Sequence, residues 1–271
     1  MQFLWYNRPG DTMDRNNIDK IAQTPEDRLL LAKLWDKIHS GIRKNIPAHT
    51  GFLSQREQVL AGYLFGQAEG LSLYGGYADA ERKMYVYLPD YLDEDYLRDS
   101  PAVCMRAVFY KNEHPNHRDF LGALMGCGVT RESVGDILVS ENSCDFFVTE
   151  EIAEYLFQNF DKAGRTSLQL SKISPEEVLL PQQNFSEIKD TVASVRLDSI
   201  VSSGFRISRT TAAEYILAGK AAVDGLPCEK PDRAVAEESK VSVRGLGKLK
   251  LAQIGHTTKK GRISVTIHRY E

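Results

Sequence analysis

Two arginines bracket a serine in Arg206-Ile207-Ser208-Arg209, and these are the residues of the chain best suited to recognising an anion. Ser208 predicts a helix cap, so the first N–H groups of that helix and two guanidinium groups would converge on one point, a combination that holds phosphate. Further cations follow on predicted strands. Lys248 and Lys250 lie on the face opposite Leu249 and Leu251, Arg244 ends the run from Val241, Lys259 and Lys260 occupy the turn TTKKG, and Arg262 opens an alternating run in which Ile263, Val265 and Ile267 face the core.

Other chemistry is weaker. His114, His117 and Asp119 beside Arg118 could be drawn as an acid/base cluster, but His117 and Asp119 fall at the start of a predicted helix, where capping and the helix dipole account for them. The glycines between Gly122 and Gly128 do not fit GxGxxG, and GxxxxGK[ST] is absent; tight packing and helix termination explain them. Cys104, Cys127, Cys144 and Cys228 are too scattered for a zinc site and read as buried, reduced thiols. We expect no catalytic residue, no metal and no cofactor.

The elements that must position these residues can be read from capping and periodicity. Thr24, followed by Pro25, Glu26 and Asp27, starts a helix whose inward face is expected at Leu29, Leu30, Leu34, Ile38 and Ile42. Ser54 and Glu57 form a capping box for a second helix with Val59, Leu60, Tyr63 and Leu64 inside. Gly75-Gly76 marks a turn before a strand from Met84 to Leu88. Then come a strand (Ala102 to Tyr110), a helix (Arg118 to Met125), two strands (Asp136 to Val139, Cys144 to Val148), a helix capped by Thr149 and a last strand (Ser167 to Ile173). This β-α-β-β-α-β order is the split βαβ of ferredoxin-like and RNA-recognition-motif-like domains. Phe109, Tyr110, Phe146 and Phe147 could stack bases there, but SCDFFV departs from the K/R-G-F/Y-G/A-F-V pattern and the region is acidic; core packing or protein contact is the reading. Pro175, Pro181 and the polar tract between them predict a connection. Beyond it, Leu197, Ile200 and Val201 line a short helix ended by Gly204, and Ala212, Ala213, Ile216 and Leu217 line the helix capped by Ser208 and followed by Gly219. Asp224-Gly225 predicts a hairpin.

Charge divides the chain the same way. The net charge is −3, yet residues 1–190 carry 20 Lys+Arg against 29 Asp+Glu and residues 191–271 carry 14 against 8. A basic module on an acidic body suggests a polyanionic partner. No stretch approaches the ~20 apolar residues that span a bilayer, and Met1 to Asp11 lacks the pattern of an export signal, so a cytoplasmic location is expected.

The pattern RLD-x8-SR-x2-A-x3-I-x2-GK-x2-V-x-G over about residues 192–271 resembles the RNA-binding domain named after ribosomal small-subunit protein S-four. GKLK…TTKKGRISVTIHRY, the run His117 to Ile137 and FLSQREQ (Phe52 to Gln58) are similar to the bacterial YlmH-like family. The resemblance implies an RNA-binding protein acting on ribosomal RNA or tRNA, in a family linked to rescue of stalled large ribosomal subunits and, more loosely, to cell division. It also implies RNA contact by Arg196, Arg206, Ser208, Arg209 and Lys220. Arg244, Lys248, Lys250, Lys259, Lys260 and Arg262 are added from charge and strand alternation. Two alternatives stay open: Arg196 can pair with Asp198 or another acid, and Ser208 can serve only as a cap.

The fold class expected is therefore α+β in three parts: a mainly helical part (1–75), a ferredoxin-like or RNA-recognition-motif-like domain (76–178), and a domain of the S-four type with its linker (179–271). The function expected is non-enzymatic binding of structured rRNA or tRNA on a ribosomal particle, the large subunit in particular, in translation quality control. The acidic parts would be free for protein contact, and no membrane is involved. The alternative is an RNA-modifying enzyme, a pseudouridine synthase or rRNA methyltransferase anchored by the C-terminal domain. Against it, the lone RLD, Arg196 to Asp198, belongs to the binding motif, and no Gly-rich loop follows a strand.

Overall fold

Thr24 caps the longest helix of the chain: its hydroxyl accepts the Asp27 N–H at 3.2 Å, with Pro25 in the first turn. The computed structural model describes residues 14–98, 100–110, 112–180 and 185–270. The export-signal reading at Met1 to Asp11 and Pro181 of the expected connection lie outside the described residues. The chain divides into two compact units, Met1–Pro181 and Gln182–Glu271.

The first unit begins with α1 (Ile18–Ile21), α2 (Pro25–Lys44), β1 (Ala48–His49), α3 (Gln55–Phe65), β2 (Leu71–Tyr74) and β3 (Met84–Tyr87). Leu31, Leu34, Trp35 and Ile38 form the inward face of α2, whereas Leu29, expected inside, is 74% exposed. The buried stripe instead runs Asp27, Leu31, Leu34 and Ile38, and Asp27 anchors it: its carboxylate takes both amino groups of the Arg56 guanidinium, at 2.6 and 2.7 Å, which fixes the rotation of α2 against α3. The Ser54/Glu57 capping box is present, and Leu60, Ala61, Leu64 and Phe65 are the buried face of α3; Tyr63 is turned outward. The three strands pair in the order β1-β3-β2, drawn from both sides of residue 75.

Next come β4 (Ala102–Val108), α4 (His117–Gly126), β5 (Val134–Val139), β6 (Ser143–Thr149), α5 (Glu150–Asn159), the small pair β7 (Lys162–Ala163) and β8 (Thr166–Ser167), and β9 (Gln169–Ile173). The four long strands form an antiparallel sheet in the order β5-β6-β4-β9, so the β-α-β-β-α-β order expected from the sequence is observed. One face packs Met105, Phe146 and Val148 against Phe120 and Leu124 of α4 and Leu156 of α5. The other face, carrying Cys104 and Phe147, packs against Phe52, Met84 and Val86. Arg82 ties this cover in place: it donates to the carbonyls of Phe52 (2.7 Å), Arg131 (3.1 Å) and Val134 (3.0 Å). Both faces of the central sheet are thus filled.

The second unit holds β10 (Phe185–Val192), α6 (Leu197–Phe205), α7 (Arg209–Leu217), β11 (Ala221–Val223), β12 (Leu226–Pro227), β13 (Lys240–Val243), β14 (Gly247–Thr257) and β15 (Ile263–Tyr270). They make one antiparallel sheet, β10-β15-β14-β13-β11-β12, with one core built from Leu197, Ile200 and Val201 of α6, Ala212 and Ile216 of α7, and the inward strand residues. Asp224 and Gly225 both have positive φ (51° and 77°), the two-residue turn that DG predicts. Leu217, expected inside, is 64% exposed. Gly204 does not end α6. A Cβ there would sit 2.6 Å from Leu249 Cδ2, so the glycine lets the helix lie close on the sheet, and the helix ends at Arg206, a left-handed residue with φ 55°. The sequence predicts no strand at β10, which lies beyond the connection expected between Pro175 and Pro181. As an edge strand it buries only Val192 fully, so its residues carry little alternation to be read.

Candidate nucleic-acid interface

Arg206, Arg209 and Arg262 line one cleft of about 250 Å³ beside the β10 edge, together with Thr191, Ser199, Ser202 and Ser203. Three separate elements deliver the arginines. Arg206 ends α6, Arg209 begins α7, and Arg262 leads into β15, whose first residue, Ile263, pairs with Val192 of β10. Three guanidinium groups thus meet at one place, as phosphate binding requires, while the Ser202 and Ser203 hydroxyls of the wall donate to the Ile207 carbonyl and to Asp190. Two carboxylates temper the charge. Asp190 lines the cleft and accepts the Ser203 hydroxyl at 2.7 Å, and Asp198, with a side chain 8% exposed, accepts from Arg209 at 2.6 Å.

The remaining candidates fall in four groups. Ser208 caps α7, accepting the Thr211 N–H at 3.0 Å and sharing a hydrogen bond with the Thr211 hydroxyl. Arg196, one residue before α6, sits 3.4 Å from Asp198, so the pairing alternative is the one observed. Lys259 and Lys260 are exposed in the hairpin turn that leads to Arg262. The others are not brought to the cleft. Lys220 lies 5.0 Å over the Tyr215 ring, and its carbonyl accepts the Arg244 N–H. Those two residues flank β11 and β13, four and three strands from β10, or about 14–19 Å at ~4.8 Å per strand. Lys248 and Lys250 share the sheet face away from the helices with Ser242 and Lys240, and Lys250 pairs with Glu238 at 2.5 Å.

Sequence reasoning missed Arg269. It continues the parity of Ile263, Val265 and Ile267, so period two places it on the helix side of β15, and its guanidinium lies 5.4 Å over the Phe205 ring. Reading the alternation two residues further would have found it.

In the first unit the weighed signals resolve into structure. Asn116 and Asp119 form a capping box at α4, which accounts for Asp119; His117 is the first helical residue, its pKa held below the usual value by burial and then by the Arg131 charge. Gly128 has φ 80°, the conformation in which chains leave helices. Tight packing does not explain Gly122 and Gly126, however, because a Cβ at either meets nothing within 4 Å. Cys104, Cys144 and Cys228 are buried, and burial pushes the Cys104 thiol up to about 12, where it is inert as a nucleophile; Cys127 is half-buried. The four aromatics weighed as a base-stacking platform are otherwise engaged. Phe109 and Phe146 lie in the helix-side core, Phe147 is stacked at 5.5 Å on Tyr77 beneath the first unit's small sheet, and Tyr110 alone is exposed. No helix among the described residues is long and apolar enough to cross a membrane.

Comparison with known proteins supplies a family. A family model described as "Putative RNA-binding domain in YlmH" matches residues 107–177. Those residues carry 6 Lys+Arg against 12 Asp+Glu, so the matched segment is the acidic central one and not the basic unit. The ribosome-associated protein quality control protein P2 of Bacillus subtilis (strain 168) is 34% identical over 224 residues, covering 81% of this chain and 86% of that protein. A solved structure, the cell division protein ylmH from Streptococcus pneumoniae, is 21% identical with a TM-score of 0.47, covering 58% of this chain and 98% of that one.

Proposed function

The chain belongs to the YlmH-like family of RNA-binding proteins, and from that membership we propose that it is a non-enzymatic factor that binds structured rRNA or tRNA on the large ribosomal subunit, in the cytoplasm, during quality control of stalled translation. The observation that carries the reading is the convergence of Arg206, Arg209 and Arg262 on one hydroxyl-lined cleft in the basic unit. On this reading the second unit is an RNA-binding domain of the S-four type, and the split βαβ of the first unit is an RNA-recognition-motif-like domain that has given up its sheet face. Contact of residues 107–177 with RNA would then have to run through helices and loops, since both sheet faces are covered.

The test is binding of the full chain to purified large ribosomal subunits and to total tRNA as salt is raised. Each phosphate contact contributes about 0.7 to the slope of log affinity against log salt on single strands. The double variant Arg206→Gly, Arg262→Gln is expected to bind at least tenfold more weakly with a shallower slope. Unchanged affinity rejects the cleft. A modified nucleotide formed in either RNA by the pure protein, with or without S-adenosylmethionine, rejects the non-enzymatic role.

A further inference from the structure

We propose a second phosphate subsite at Arg269, so that one RNA strand runs along the edge strand β10 and is held at two phosphates. The inference rests on the RNA-binding reading above and extends it to a residue that the sequence-based site did not include. A second cleft of about 310 Å³ lies beside the first and is lined by Ser186, Glu187, Ile188, Arg206, Arg269 and Tyr270. Arg206 is the wall common to both clefts. Both follow β10, the first at Asp190 to Val192 and the second at Ser186 to Ile188. Each has room for a phosphate and several waters at ~30 Å³ apiece.

The guanidinium groups differ in how far the protein already uses them. Arg209 is bonded to Asp198, and Arg262 donates to the hydroxyl and carbonyl of Thr191. Arg206 and Arg269 make no ion pair among the described residues. Arg269 is instead held over Phe205, a contact that positions a guanidinium without consuming its charge. The Glu187 carboxylate in this lining is paired with Lys189 at 2.9 Å, which offsets its charge. The two arginines with charge to spare are therefore the two that line the second cleft, and an extended phosphodiester chain is the ligand that two anion sites along one strand fit. The ligand class is single-stranded RNA or the unpaired part of a structured one.

The experiment measures binding of the full chain to a short fluorescent oligouridylate between ~50 and ~200 mM salt. Arg269→Gln is expected to lower affinity several-fold and to reduce the salt slope by about 0.7, the loss of one phosphate contact. Arg269→Lys keeps a cation over Phe205; it should fold as the parent does, retain the slope and lose part of the affinity, because the fork that grips two oxygens is gone. If Arg206→Gly with Arg262→Gln weakens binding while Arg269→Gln, with its melting temperature unchanged, keeps the parent affinity and slope, the second subsite is overturned and the first cleft stands. Should Arg269→Gln unfold, the decision falls to Arg269→Lys, and parent affinity there overturns the subsite equally. If neither cleft's variants change binding, the RNA reading of this unit falls with the subsite.

Discussion

Arg209 donates to the Oδ2 atom of Asp198 at 2.6 Å, joining the start of α7 to the first turn of α6. Asp198 is buried and also accepts the N–H of Ser199, so the pair fixes the angle between the two helices that frame the cleft. Arg209 is therefore part structure and part surface. Arg206, three residues earlier, carries no such duty and holds a backbone conformation that L-residues adopt only at a cost of ~1–2 kcal/mol.

Glycine at position 206 should separate the two roles. Arg206→Gly is expected to stabilise the unit by about 1 kcal/mol through relief of the left-handed strain, while lowering RNA affinity. Arg209→Ala should lower affinity and also destabilise by about 1–2 kcal/mol, because Asp198 keeps only the more distant Arg196; the half-exposed position of Arg209 tempers the loss. Thermal melts alongside RNA titrations check both. Equal stability of the two variants would contradict the assignment.

Phe147 tests the cover on the central sheet. It is fully buried against Tyr77 and Phe52, and a Cβ at Gly76 would collide with its ring. Phe147→Ala should cost about 3–5 kcal/mol and leave the RNA affinity of the folded protein as it was. A stable Phe147→Ala protein that has lost RNA binding would restore the stacking-platform role that its burial excludes.

His49 makes the first unit sensitive to acid. It spans β1 and α5, with Nε2 3.2 Å from Glu151 and Nδ1 2.7 Å from the Thr50 carbonyl. Burial, and then the charge of Lys37, lower its pKa below the ordinary histidine value of 6.5, with Glu151 opposing. The unfolded chain then binds more protons than the folded one just below that value, so stability falls as the pH drops through about 6.5 and keeps falling until the folded-state pKa is passed. Urea melts from neutral to mildly acidic pH should show this decline, and His49→Gln should flatten it. A parent protein with no such decline would refute it.

How much could be read in advance depended on whether a feature is local. Thr24, Ser54 and Ser208 sit at helix starts whose caps use neighbouring N–H groups, and Asp224-Gly225 makes a turn from its own two residues. The strand alternation around Leu249 and Ile267 was equally legible, because period two needs only one buried face. The basic module showed itself as a sum of charges. Sequence by itself thus determined most of the elements, their order and the basic character of the second unit.

The tertiary structure decided which of those charges are available and which faces are open. Leu29 and Leu217 fit a helical stripe yet point outward, because the partner of each helix, Asp27 with Arg56 in one case and the six-stranded sheet in the other, selects a slightly rotated face. Gly204 proved to be a site of close approach to Leu249 rather than a helix end, a contact between residues 45 positions apart. Arg209 and Lys250 were found with carboxylate partners, Arg206 and Arg269 without an ion pair among the described residues, and Phe147 under a cover supplied by residues 52 to 86. Each of these depends on where two distant segments meet. Periodicity and capping are properties of a single segment and carry no information about the other.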